Sequence, residues 1–172
     1  TGNVNDNTFL YYKAGTVNVD ATSSVNIEKA TTLVEGAVLN IASKNVIAKG
    51  AVTGNGTINL TDLEAKFTAQ EGLIVNNGVE GNTDYGVTYV NGAYKFAQYV
   101  AQIGEAKYLT LTEAVAAVED GGTITLIANE TFTENNRYNN GGWWDGLGYI
   151  GDKSFTIDLA GFTISQDGAL ND

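Results

Sequence analysis

The sequence predicts a mainly β protein, a parallel β-solenoid (β-helix) with β-hairpins and one short capping α-helix. Three observations predict it. Apolar–Asn–apolar triplets recur at Val17-Asn18-Val19, Val25-Asn26-Ile27, Leu39-Asn40-Ile41 and Ile58-Asn59-Leu60. Those centred on Asn18, Asn40 and Asn59 lie 22 and 19 residues apart. Side chains alternate between faces in an extended chain, so each triplet points two apolar residues one way and its Asn the other. Short strands repeating at about twenty residues fit the coils of a solenoid, with Val, Ile and Leu inside and stacked Asn or Thr outside. The second observation is composition: 21 Gly, with abundant Asn, Thr and Val, suggests β structure broken by turns. The third is that only one segment carries helical spacing.

The elements follow in order. Thr1 to Asn7 reads as a polar loop. Phe9-Leu10-Tyr11-Tyr12 is apolar on both faces, as in a strand that is covered on both sides. Gly15 to Asn77 holds the solenoid coils. Their alternation loosens at Lys44-Asn45-Val46-Ile47, and Leu63, Ala65, Phe67, Leu73 and Val75 keep period two. Val87 to Phe96 reads as a hairpin around Asn91-Gly92, a pair suited to a type I′ turn because both central residues need positive φ. A second hairpin runs from Tyr99 through Gly104-Glu105 to Tyr108.

Thr110-Leu111-Thr112-Glu113 has capping-box spacing, and Leu111, Ala114, Val115 and Val118 then share one helical face. Gly121-Gly122 is the expected stop. So short a helix is marginal alone, and its apolar face is expected to cover the open end of a β-coil that starts at Thr123. The stretch from Asn135 to Gly146 reads as an ordered loop. Strands resume at Phe155 to Leu159 and Phe162 to Ile164. The expected organisation is residues 1–80 as solenoid coils, 81–109 as a hairpin connector, and 110–172 as the helix and opening coils of a second solenoid segment.

Composition excludes several functions. Cys and His are absent, which removes disulfides, thiol chemistry and Ser-His-Asp catalysis, and leaves a zinc site without its usual ligands. The formal net charge of −11 argues against nucleic acid and against docking on anionic lipid. No apolar run reaches the length needed to span a membrane. The chain lacks an initiator Met and a leader-like segment, and is expected to be a mature or excised piece.

Trp143-Trp144-Asp145, flanked by Tyr138 and Tyr149, either stacks on a sugar ring or folds inward to pin the Gly-rich loop. Asn3, Asn5, Asp6 and Asn7, like Asn139, Asn140 and Asp145, offer oxygens to calcium. They lack the charge and spacing of a known calcium loop, and solvated turns are the simpler expectation. A β-solenoid glycosidase needs two facing carboxylates. Asp158 points outward in Ile157-Asp158-Leu159, but no neighbouring triplet carries a second acid. Arg137, the single Arg, stands alone among Asn and Tyr. No catalytic residue, resident metal or cofactor is therefore expected.

The stretch from Lys107 to Ile127, including Thr110-Leu111-Thr112-Glu113-Ala114-Val115 and Asp120-Gly121-Gly122-Thr123-Ile124-Thr125-Leu126, resembles the opening of right-handed parallel β-helix domains in large bacterial surface proteins. Lys153 to Ile164 is similar to the next coil of such domains. The resemblance covers roughly residues 97–172, and residues 1–80 share only the solenoid style. It implies a right-handed, pectate-lyase-like fold, secretion, and adhesive or structural roles, and it supplies no catalytic residues.

The order departs from that pattern. The opening helix follows one solenoid, and the solenoid that it should open breaks off at Asp172. Reading Asp172 onward into Thr1 restores continuity. The expected assembly interface is therefore Phe9, Leu10, Tyr11 and Tyr12 at one end and Ile164 and Leu170 at the other. The chain is expected to be one period of something longer, either a tandem repeat or a subunit that stacks head to tail, and to serve as a unit of an extracellular bacterial filament or adhesin stalk. A carbohydrate-binding or polysaccharide-degrading module built on the Trp143 loop is the alternative.

Overall fold

The computed structural model describes residues 14–132 and 152–166 of the chain. It divides into two compact units, Thr1–Ala97 and Gln98–Asp172. The first is a β-solenoid of about three turns, the predicted architecture.

Its first coil is β1 (Gly15–Val19), β2 (Ser24–Ile27) and β3 (Thr31–Leu33). Its second is β4 (Ala37–Ile41), β5 (Asn45–Ala48) and β6 (Val52–Gly54). The third contains β7 (Thr57–Leu60) and β8 (Lys66–Thr68), and β9 (Val75–Asn77) begins a fourth. Each strand stacks in parallel on its counterpart one coil away, in the sheet orders β1-β4-β7-β9, β2-β5-β8 and β3-β6. Parallel strands buried on one face need an apolar inner column, and Val19, Ile41 and Leu60 supply one, each buried.

The Asn residues of three triplets fall into one column outside. Asn40 Nδ2 donates to Asn18 Oδ1 at 2.9 Å, and Asn59 Nδ2 donates to Asn40 Oδ1 at 2.8 Å. Asn76 Nδ2 extends the column, bonding Ile58 O at 3.2 Å and Asn59 Oδ1 at 3.4 Å. Asn26 belongs to a different sheet, where its neighbour is Ile47, so its triplet adds no rung. Other outward columns pair Thr32 with Thr53, and Glu28 with Lys49 in an ion pair at 2.8 Å. The corner at Gly54 has φ +100°, and an added Cβ would stand 2.1 Å from the Leu33 carbonyl oxygen. Coils pack too closely there for any side chain.

The hairpin of β10 (Tyr85–Val90) and β11 (Ala93–Gln98) joins the second sheet, with β11 antiparallel to β8. Asn91 (φ 52°) and Gly92 (φ 78°) make the expected two-residue turn. Tyr94 is buried under it and packs beside Phe67 and Tyr89.

The second unit starts with the hairpin β12 (Ala101–Ile103) and β13 (Ala106–Tyr108), followed by α1 (Leu111–Ala117). β14 (Thr123–Leu126) and β15 (Glu130–Phe132) form one coil. β16 (Thr156–Asp158) and β17 (Ile164–Gln166) stack on it in parallel. Leu111, Ala114, Val115 and Val118 are all buried, with Ala101, Ile124, Leu126 and Phe132. Thr110 is the N-cap: its Oγ1 accepts from the Glu113 amide at 3.1 Å, and Glu113 Oε2 accepts from the Leu109 amide at 3.0 Å. The helix ends earlier than the expected Gly pair. Val118 turns extended (φ −64°, ψ 137°) as its side chain enters the core, and Gly121 (φ 77°) serves the turn beyond.

Candidate functional site

Each unit has one end partly closed by antiparallel or side-chain bonding, although among the described residues no strand lies beyond β9 or β15 at these ends. In the first unit, β11 covers β8, and Gln70 stands in for a missing strand beside β6. Its Nε2 donates to Val52 O at 2.6 Å and its Oε1 accepts from Val52 N at 3.3 Å. The remaining strand at that end, β9, is followed by a turn in which Asn77 Nδ2 bonds Asn82 O and Asn82 Nδ2 bonds Tyr85 O. In the second unit, β12 lies antiparallel on β14 and α1 packs beside β12 and β13.

The opposite ends differ. Among the described residues, no strand lies beyond β1, β2 and β3 in the first unit, or beyond β16 and β17 in the second. Some inward residues of these end coils have less cover than their neighbours, although Val19, Ile27 and Leu33 of the first coil are buried. Val17 and Val25 are half-buried, whereas Leu39 and Val46, stacked on them, are buried. Leu159 is 45% exposed, and Phe162 and Ile164 are each 37% exposed, while Ile124 and Leu126 of the preceding coil are buried. Edges with free ladder groups beside bare apolar columns are sites of strand addition.

The backbone bonds have one polarity throughout. Inward residues direct their N–H and C=O groups toward the following coil. Thr31 N donates to Ala51 O, Leu60 O accepts from Gly78 N, and Glu130 N donates to Thr163 O. Outward residues consequently direct theirs toward the preceding coil. This holds in both units, so their coils wind with the same hand.

Glu130, like Gln70 and Asn76, was not read from the sequence. It faces inward at the start of β15 and is 3% exposed. Burial pushes its carboxyl up to about 6; the Leu111 backbone amide bonds it and works against that rise, and the Glu113 charge adds to it. The signal was a strand beginning Glu130-Thr131-Phe132, whose alternation puts the acid on the same face as Phe132.

Of the residues expected to contact a glycan or the next copy, Ile164 is exposed on the edge strand β17. Phe9, Leu10, Tyr11, Tyr12, Tyr138, Trp143, Trp144, Asp145 and Leu170 lie outside the described residues, as do both proposed calcium loops. Asp158 is exposed beside Thr125. No group of three or more acidic, His or Cys side chains that could hold a metal ion occurs among the described residues. A groove of about 420 Å³ lies in the first unit where the third sheet lacks its third strand, lined by Leu33, Gly54, Ile58, Leu73 and Ile74. No aromatic side chain among the described residues lines it, so it offers no stacking platform to a sugar.

Fold and site define parallel β-solenoid coils in each unit, with strand edges at their ends. No family model, curated protein or solved structure matches this chain.

Proposed function

We propose that this chain is a non-catalytic structural unit that stacks head to tail, as part of a bacterial surface filament or adhesin stalk. The observation that carries this reading is the asymmetry of the ends. One end of each unit is partly closed by antiparallel strands, a helix or a side-chain amide, with β9 and β15 still at sheet edges there, and the other presents parallel edges with partly exposed apolar residues. A contact between unlike ends does not close on itself and propagates as a fibre. The likeness of residues 107–127 and 153–164 to the opening coils of surface-protein domains supports secretion and the bacterial surface.

A right-handed, pectate-lyase-like winding is supported by the polarity of the ladder bonds. Take a strand of L-residues drawn upward, with a side chain toward the viewer. That residue's N–H and C=O then point right. Outward residues here send these groups to the preceding coil. Seen from outside, the front strands therefore run left to right as the coils climb, which is a right-handed screw.

Sedimentation velocity over a wide concentration range tests the function. The expected result is a growing series of oligomers, indifferent to added oligosaccharide. A protein that stays monomeric at the highest concentration, with tryptophan fluorescence that shifts on adding oligosaccharide, would support the carbohydrate-binding alternative instead.

A further inference from the structure

We infer that the β16 edge of one copy pairs in parallel with the β1 edge of the next, in the register that sets Asp158 beside Asn18. This rests on the head-to-tail reading above and names its contact. Both edges carry the same alternation, Ile157-Asp158-Leu159 and Val17-Asn18-Val19: Val17, Val19 and Ile157 pack against their cores, and Leu159, in phase with Ile157, is 45% exposed.

The backbone groups are complementary in the same register. Thr156 N donates to Gly122 O, so Thr156 and Asp158 address β14, and the N–H and C=O of Ile157 and the N–H of Leu159 point off the edge, while the Leu159 carbonyl accepts from the Phe162 amide at 2.7 Å in the turn beyond β16. Gly15 N donates to Gly36 O, and Val19 O accepts from Ala42 N. Gly15, Val17 and Val19 therefore address β4, and Thr16 and Asn18 point their groups off the edge. In a parallel ladder a residue bonds the two neighbours of its register partner. Asn18 N–H then meets Ile157 C=O, and Leu159 N–H meets Asn18 C=O.

Side chains select among the registers that this parity allows. With Asp158 beside Asn18, Ile157 lies beside Val17 and Leu159 beside Val19. A slip of two residues one way sets Asp158 against Asp20, two like charges. A slip of two the other way leaves Ile157 beside Gly15, with no apolar partner. A slip of one turns every side chain to the wrong face.

The amide ladder continues through the same joint. Each Asn gives its Nδ2 to the rung before it, and Asn18 Oδ1 already accepts from Asn40, which leaves Asn18 Nδ2 directed at the preceding rung. Asp158 Oδ1 accepts from the Ala160 amide at 2.9 Å, leaving Oδ2 to receive it. That bond is charge-assisted.

The chain has no cysteine, so a disulfide reports the register against no background. The double variant Asn18→Cys/Asp158→Cys is oxidised at a concentration where the wild type self-associates, beside Asn18→Cys/Thr156→Cys, with circular dichroism of each reduced variant. The expected result is a ladder of covalent oligomers several-fold more abundant for the Asp158 pair. Equal or stronger cross-linking through position 156 overturns the register but leaves head-to-tail assembly standing. Association of the wild type with no cross-link from either pair overturns this contact. A wild type that never associates removes the head-to-tail reading and the register with it. Asp158→Lys, which removes the acceptor without a cysteine, is expected to weaken association several-fold, and Asp158→Asn to preserve it; equal behaviour of the two would overturn the role given to Asp158.

Discussion

Glu130 is an acid set into an apolar core, and its effect on stability has a definite sign. Below its ordinary value of 4.5 the carboxyl is neutral in both the folded and the unfolded chain. As pH rises from there toward about 6, the unfolded chain releases the proton first and the folded protein still holds it. Stability therefore falls through this window, by about 1–2 kcal/mol from this residue. Glu130→Gln keeps an acceptor for the Leu111 amide and removes the titration. It is expected to raise stability by a similar amount at pH 7 and to change little at pH 4, as read from denaturant melts at both pH values. An unchanged difference between the two pH values would contradict the assignment. The Asn column makes a second expectation at this scale. Asn40 bonds both its neighbours, so Asn40→Ala should cost about 1–2 kcal/mol, and Asn18→Ala, at the end of the column, about half of that.

At the scale of elements, the coil ends and corners carry bonds and close contacts that single substitutions can test. Gln70 holds both backbone groups of Val52, and Gln70→Ala would leave them without those bonds. The expected loss is about 1–3 kcal/mol, and Gln70→Glu should be worse at pH 7, because its carboxylate would face the Val52 carbonyl. Chemical denaturation of the two variants checks the order. Gly54→Ala is expected to cost about 2 kcal/mol or more, since the Leu33 backbone occupies the space that its methyl needs.

Much of this scale was legible in the sequence. The triplets at Asn18, Asn40 and Asn59 announced both the coil repeat and the external amide column, because strand alternation ties an apolar pair to one polar position. Asn91-Gly92 announced its turn, and Thr110 to Val118 its capped helix. The place of Asn26 was not legible, since its triplet has the same pattern and only the coil's corners assign it to another sheet. Asn76 was hidden because Val75-Asn76-Asn77 breaks the triplet rule. Gln70 was hidden because a side chain that replaces a strand leaves no periodic trace. Glu130 was readable in principle from the phase of Phe132, but the helix that buries it is brought there by tertiary packing.

At the scale of the molecule, the chain carries a net charge of −11, and two copies approaching end to end repel one another. Salt screens such charges over about 10 Å at 0.1 M. Association is therefore expected to strengthen as sodium chloride rises from low to physiological levels, the reverse of what an ion-paired interface would do. The apolar columns ending in Leu159 and Ile164, and the edges of β16 and β1, beyond which no strand lies among the described residues, favour stacking once repulsion is screened.

The most direct measurement is X-ray fibre diffraction from aligned, concentrated protein. Coils that continue from one copy into the next predict a sharp reflection at about 4.8 Å along the fibre axis, with filaments one molecule wide by electron microscopy. Compact monomers under the same conditions, or clusters without that axial reflection, would contradict the account.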